Sequence, residues 1–228
     1  MQPEYKKKSI RSFVIRAGRM TDGQKNAFDL WWPKYGLSLY DGNIDQKEIF
    51  GRTAPLVVEA GFGMGASLLA MAQAEPDKDF IGIEVHPPGV GRLLSCAGEA
   101  EVDNLRVYMA DANDVLNDCI PSAAISRFQL FFPDPWHKKK HHKRRIVQAV
   151  FIELVRQKLA DKAIIHLATD WEHYADHMME VMCKAPGFEN ACPEYQFSPI
   201  PGYRPTTKFE TRGERLGHGI WDIVFSKS

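Results

Sequence analysis

Between Leu56 and Lys184, short apolar runs alternate with longer segments of helical spacing, and this alternation restricts the fold more than any other feature. The runs fall at 56–60, 80–85, 105–109, 128–132 and 163–168, and the helical segments at about 65–74, 89–101, 112–119, 144–160 and 171–184. Strand–helix–strand units of this kind predict an α/β fold with a doubly wound, mostly parallel sheet that receives ligands at the carboxyl ends of its first four strands. Beyond Pro186 the chain changes character. Pro193, Pro199, Pro201 and Pro205 interrupt it, and Gly219–Phe225 reads as a closing antiparallel strand. Residues 1–22 read as a basic arm, 24–32 as a short helix ending before Pro33, and 36–54 as a loop, so the expected organisation is an arm (1–22) and one domain (23–228).

The fourth run ends in Phe131-Phe132-Pro133-Asp134-Pro135-Trp136-His137. Each proline fixes its own φ and disfavours helical backbone in the residue before it, so Asp134 is expected in a stiff, extended turn. The next eight residues, Lys138–Arg145, carry six Lys or Arg. A rigid acid, an indole and a block of cations together suit a nucleic-acid base beside its phosphates.

Net charge gives no such hint, because 29 basic residues balance 29 acidic ones. Distribution does: residues 1–19 and 138–145 hold 12 of the 29 basic side chains, leaving an acidic remainder that would steer a polyanion to two patches. Cys96, Cys119, Cys183 and Cys192 are scattered with no C-x-x-C pair, which speaks against a zinc ribbon or disulfide scaffold. No apolar run reaches membrane-spanning length and no signal-peptide core is present, so a cytoplasmic location is expected.

A pocket is outlined at the strand ends. The first strand runs into Glu59-Ala60-Gly61-Phe62-Gly63-Met64-Gly65, where glycines allow a tight turn and close approach of a ligand. Glu84 ends the second strand, where an acid accepts from ribose hydroxyls, and Asp111 follows the third, within reach of an adenine amino group. Each acid alone reads more readily as a helix cap or solvated loop residue; three at successive strand ends reverse that and point to a cofactor site. Glu59 beside the glycines, with no basic residue from 56 until Lys78, suits a cationic sulfonium ligand better than a pyrophosphate.

With these motifs in view, the chain resembles the bacterial tRNA (guanine-N7)-methyltransferase family along nearly its whole length. The likeness is carried by Arg11-Ser12-Phe13, Arg16-Ala17-Gly18-Arg19, Trp32-Pro33, the glycine loop and Gly82-Ile83-Glu84-Val85-His86. It continues through Phe132–Lys138, Ala168-Thr169-Asp170-Trp171 and Thr207-Lys208-Phe209-Glu210 followed by Arg212-Gly213. Ala60 and Lys140 depart slightly from the family pattern. The resemblance implies a Rossmann-like class I methyltransferase that moves a methyl group from S-adenosylmethionine to guanine N7 at position 46, in the tRNA variable loop. It implies cofactor contacts at Glu59, Gly61, Gly63, Gly65, Glu84, Asp111 and Asp134, with Asp134 also catalytic. Lys138, Asp170, Thr207, Lys208, Phe209 and Glu210 would lie near the substrate, and Lys140, His141, His142, Lys143, Arg144 and Arg145 would contact RNA.

Guanine N7 offers an in-plane lone pair and no proton, so the site needs no general base, only positioning and stabilisation of the cation that forms. Asp134 accepting from guanine N1–H and the exocyclic amino group would do both. Asp170 also reads as the cap of the helix beginning at Trp171, and Arg144 and Arg145 as the start of the helix after the basic run. Trp136 either stacks on a base or braces its loop, whereas Trp31 and Trp32 read as packing. His137, His141 and His142 sit among cations that repel a divalent ion, so no metal is expected. The expected partner is tRNA, bound by a monomer. Two other readings are weaker. An NAD(P)-dependent oxidoreductase on the same fold is opposed by Glu59 at the glycine loop, the lack of a Tyr/Lys or His catalytic pair and the basic block. A non-catalytic RNA-binding protein with a vestigial pocket would need a broken acid set, where every acid is present.

Overall fold

The computed structural model describes residues 11–13, 19–192, 196–205, 210 and 219–228. Most of the expected arm, and Thr207, Lys208 and Phe209 with Arg212 and Arg215, lie outside the described residues.

The chain enters the fold through helix α1 (Asp22–Tyr35), whose start is set by a capping box: Thr21 accepts from the Gln24 amide and the Gln24 side chain accepts from the Thr21 amide. The helix runs past Pro33 instead of ending before it. Pro33 falls in the last turn, and the Tyr35 hydroxyl donates to the Ala97 carbonyl at 2.9 Å, which holds that turn in place. Strand β1 (Gly36–Leu37) and a short helix α2 (Gln46–Phe50) occupy the segment expected as a loop.

Strands β2 (Leu56–Ala60), β3 (Asp79–Ile83), β4 (Leu105–Tyr108), β5 (Ile125–Phe131) and β6 (Leu159–Thr169) alternate with α3 (Ala66–Ala74), α4 (Pro87–Glu99), α5 (Ala112–Asp118) and α6 (Ala149–Lys158). After α7 (Glu172–Lys184) come β7 (Phe188–Asn190) and β8 (Trp221–Lys227). The sheet order is β1-β4-β3-β2-β5-β6-β8-β7. All pairings are parallel up to β6; β8 then runs antiparallel to both β6 and β7. The order reverses between β2 and β5, which makes the carboxyl ends of these strands the switch point where a ligand is expected.

Residues of β2 alternate between two cores. Leu56, Val58 and Ala60 join the cluster that includes α5, α6 and α7, whereas Val57 joins the one built from α1, α3 and α4. The tryptophans of α1 belong to this second core: a Cβ on Gly98 would collide with the Trp31 indole, so the α1–α4 contact depends on that glycine. The basic run does not begin a helix at Arg144. Lys139–Arg144 form a 3-10 turn, and α6 starts only at Ala149, because Arg145 is extended and sends its guanidinium inward.

Candidate active site

A cleft of about 220 Å³ opens at the switch point. Ala60 and Gly61 line it from the end of β2, Glu84 from β3, Asp111 from β4, and Pro133 and Asp134 from β5, while Ser12 and Phe13 of the arm close one side. The fold therefore gathers Glu84, Asp111 and Asp134 around one space. The three glycines divide the work. Gly61 (φ +74°) and Gly63 (φ +58°) would each carry a Cβ into open space, whereas a Cβ on Gly65 would press to 2.7 Å from Leu93. The first two leave backbone bare to a ligand; the third lets α3 pack on α4.

Glu84 shapes the loop as well as facing the cleft. Its Oε2 accepts from the Gly63 amide at 2.8 Å, and its Oε1 accepts from the amides of Val85 (2.7 Å) and His86 (3.0 Å). A carboxylate has about four lone-pair sites, so three backbone bonds leave room for a sugar hydroxyl. The Gly63 amide is thus already engaged by an anion, which disfavours a pyrophosphate at this helix start. Asp111 caps α5: its Oδ1 accepts from the Asn113 amide at 3.0 Å and the Asn113 side chain at 3.1 Å.

Glu59 behaves differently. By strand alternation it shares the face of Val57, and it is only 2% exposed, with Oε2 unpartnered. Burial, outweighing the nearby Arg127 guanidinium and reinforced by Glu84, pushes its carboxyl up to about 8. It does not line the cleft; it stands in register with Gln129 of β5, whose Oε1 is also unpartnered.

Asp134 is exposed at the cleft edge between its prolines, and the residues flanking those prolines are unusual. Phe132 (φ +51°) and Trp136 (φ +49°) both adopt left-handed backbone, which for bulky side chains costs on the order of 1–3 kcal/mol each. Such strain persists only where the surroundings enforce it. The Trp136 indole N–H donates to the Ser12 carbonyl at 3.0 Å, the Arg144 guanidinium lies 3.8 Å over the Trp136 ring, and Arg145 donates to the Pro135 carbonyl at 2.9 Å. Of the two roles open to Trp136, the structure displays the brace.

The basic run divides in the same way. Lys138, Lys139, Lys140 and Lys143 are exposed. Arg145 is 2% exposed, with its guanidinium 4.7 Å over the Tyr174 ring. Burial and that guanidinium hold His142 below the usual histidine range, while His141 meets the Trp136 ring edge-on. Asp170 follows β6 but does not cap α7. Trp171 holds the cap position with no side-chain cap bond; its amide donates to Thr169 Oγ1 at 3.2 Å in the turn before the helix, and its ring meets His137 at 4.3 Å. Among the described residues no group of three His, Cys, Asp or Glu is arranged to hold a metal ion, and no helix is long and apolar enough to cross a membrane.

One buried polar network beside the site escapes sequence reasoning. Arg204 lies buried and donates to Asp222 at 2.7 and 2.9 Å and to Glu210 at 2.5 Å. Asp222 Oδ1 is 2.6 Å from His166 Nε2, and Tyr203 OH is 2.9 Å from His166 Nδ1. Glu210, expected near the substrate, is therefore held in this network, whose guanidinium also lies 5.8 and 5.9 Å from the Phe131 and Phe132 rings behind Asp134. The available signal was an acid inside the apolar strand Trp221–Phe225, which demands a buried partner.

Comparison with known proteins fits this geometry. A family model described as "Putative methyltransferase" matches residues 53–223. The chain is 70% identical over 228 residues to a tRNA (guanine-N(7)-)-methyltransferase of Saccharophagus degradans, covering 100% of both. It is 57% identical over 220 residues to the enzyme of that name from Alcanivorax borkumensis, covering 96% of this chain and 92% of the relative. Among solved structures, the 16S rRNA methyltransferase KamB aligns with TM-score 0.56 at 14% identity, covering 94% of this chain and 98% of that one. The aminoglycoside resistance methyltransferase NpmB1 aligns with TM-score 0.53 at 16% identity over 80% and 93% of the two chains. At such identities these two likenesses show the methyltransferase fold.

Proposed function

This chain belongs to the tRNA (guanine-N(7)-)-methyltransferase family, and from that premise we propose that its cleft binds S-adenosylmethionine and that Asp134 presents guanine 46 of the tRNA variable loop to it. The observation that carries the reading is the convergence of Glu84, Asp111 and Asp134 on one cleft that Gly61 of the glycine loop also lines. The donor set suits that cofactor: Glu84 retains acceptor capacity for ribose, Asp111 stands where an adenine amino group would donate, and no cation competes on the glycine loop. When bound, the cofactor supplies an electrophilic methyl group on a sulfonium.

The protein's own part is positioning. Asp134, stiffened by two prolines and two strained neighbours, accepts from guanine N1–H and the exocyclic amine, and so offsets the positive charge that N7 alkylation places on the purine. Adenine has no N1–H and would leave the carboxylate poorly satisfied, at about 1–3 kcal/mol. The exposed lysines 138, 139, 140 and 143 supply phosphate contacts beside the cleft. A soluble monomer acting in the cytoplasm, organised as arm and single domain, completes the reading.

The decisive experiment incubates the protein with labelled S-adenosylmethionine and unmodified tRNA, then maps 7-methylguanine by borohydride–aniline cleavage. A single cut in the variable loop supports the proposal. Label at another base, or none, refutes it.

A further inference from the structure

Within the basic run, Arg144 differs from the lysines around it in facing the protein. Its Nε donates to the Arg11 carbonyl at 3.1 Å and its Nη2 to the Phe13 carbonyl at 3.2 Å, while its guanidinium lies 3.8 Å over the Trp136 ring. Trp136 donates to the carbonyl between them, that of Ser12. Three successive backbone acceptors of the arm are thus bound by two side chains from the loop after β5. Residues 11–13 form no helix or strand, so no backbone ladder holds them, and their place depends on these side-chain donors. That place matters, because Ser12 and Phe13 line the same cleft as Glu84, Asp111 and Asp134. The Arg11 guanidinium, 5.8 Å over the Phe13 ring, adds a contact within the arm itself.

We infer that Trp136 and Arg144 are positioning residues that hold residues 11–13 against the cofactor cleft and slow release of the cofactor, a task separate from RNA contact. The inference rests on the cleft being the S-adenosylmethionine site. It also explains why the strained backbone at Trp136 is kept: φ +49° aims the indole so that one edge meets Ser12 and one face meets Arg144. A lysine in place of Arg144 keeps the charge but cannot bridge two carbonyls while lying over an indole.

The test measures release of radiolabelled S-adenosylhomocysteine from the full-length protein into excess unlabelled ligand, with no RNA present. Trp136→Phe and Arg144→Lys should each release the label about tenfold faster than wild type, the change that ~1.4 kcal/mol produces. Changing Lys139, Lys140 and Lys143 together to alanine should leave the release rate unchanged. Trypsin cleavage after Arg11 should quicken in the first two variants at unaltered Tm, which separates loss of the arm contact from loss of fold. If Trp136→Phe melts early, the surface change Arg144→Lys decides alone. Wild-type release rates in both variants would overturn the inference even if tRNA affinity fell, since Arg144 would then act on RNA only. A wild-type protein that fails to retain the label would overturn the cofactor reading and the inference with it.

Discussion

Replacing Glu59 with glutamine removes one ionisable proton from the middle of the sheet and leaves the side-chain volume almost unchanged. In the folded protein the carboxyl is buried and pushed up to about 8; in the unfolded chain it returns to its ordinary 4.5. An acid shifted upward binds its proton more tightly in the native state, so the unfolded state deprotonates first and stability is lost as pH rises from about 4.5 toward 8. At ~1.4 kcal/mol per pH unit, the loss is about 3 kcal/mol at pH 7 and levels near 5 kcal/mol above pH 8. Glutamine does not titrate, and its amide can donate to the unpartnered Oε1 of Gln129 across the β2–β5 pair. Urea unfolding of the ligand-free protein should therefore show Glu59→Gln gaining about 2 kcal/mol on wild type between pH 6 and pH 8, other titrations cancelling in the difference. Parallel stability curves over that range would refute the reasoning, by showing that the carboxyl finds water or a cation the structure does not place beside it.

Three other outcomes are expected. Asp134→Asn should lower single-turnover methyl transfer by roughly 10²–10³-fold, the range for losing one preorganised electrostatic group, with S-adenosylhomocysteine affinity measured alongside; near-normal turnover would remove Asp134 from the proposed role. Changing Lys139, Lys140 and Lys143 to alanine should flatten the plot of log K for tRNA against log salt by about 2, at ~0.7 per lost contact on single strands. Arg204→Ala should destabilise by about 3–5 kcal/mol in urea, because Asp222 and Glu210 would be left as buried acids without their shared cation.

The sequence is most legible where local pattern and tertiary role coincide. Strands β2 to β6 lie within a few residues of their expected positions, since each is an apolar run bounded by turns, and Glu84, Asp111 and Asp134 are legible because they stand at or just beyond the ends of such runs. β1 and β7 are too short, at two and three residues, for any alternation to show. Pro33 and Arg144 mislead for opposite reasons. A proline normally ends a helix, but here Tyr35 in the last turn anchors it to Ala97; two arginines suit a helix start, but the second braces Pro135. Asp170 suits a cap, but Trp171 occupies the cap position of α7 and no side chain caps that helix. The Arg204–Asp222–Glu210 cluster was out of reach because its members are separated along the chain and only the insertion of β8 brings them together.

That insertion has a consequence for how the protein is made. In the sheet, β8 sits between β6 and β7, although both precede it in the chain. While residues 221–227 are still inside the ribosome, β6 has an open edge, His166 has no Asp222, and Arg204 has no acid from the strand it will clamp. An unpaired, largely apolar edge invites pairing with a neighbouring chain, and a strand that must enter between two others forms only by distant contacts, which are slow. The nascent protein therefore passes through an interval of vulnerability that closes in one step. Polysome crowding or a pause in translation before Trp221 should lower the yield of soluble enzyme far more than a similar delay before β5.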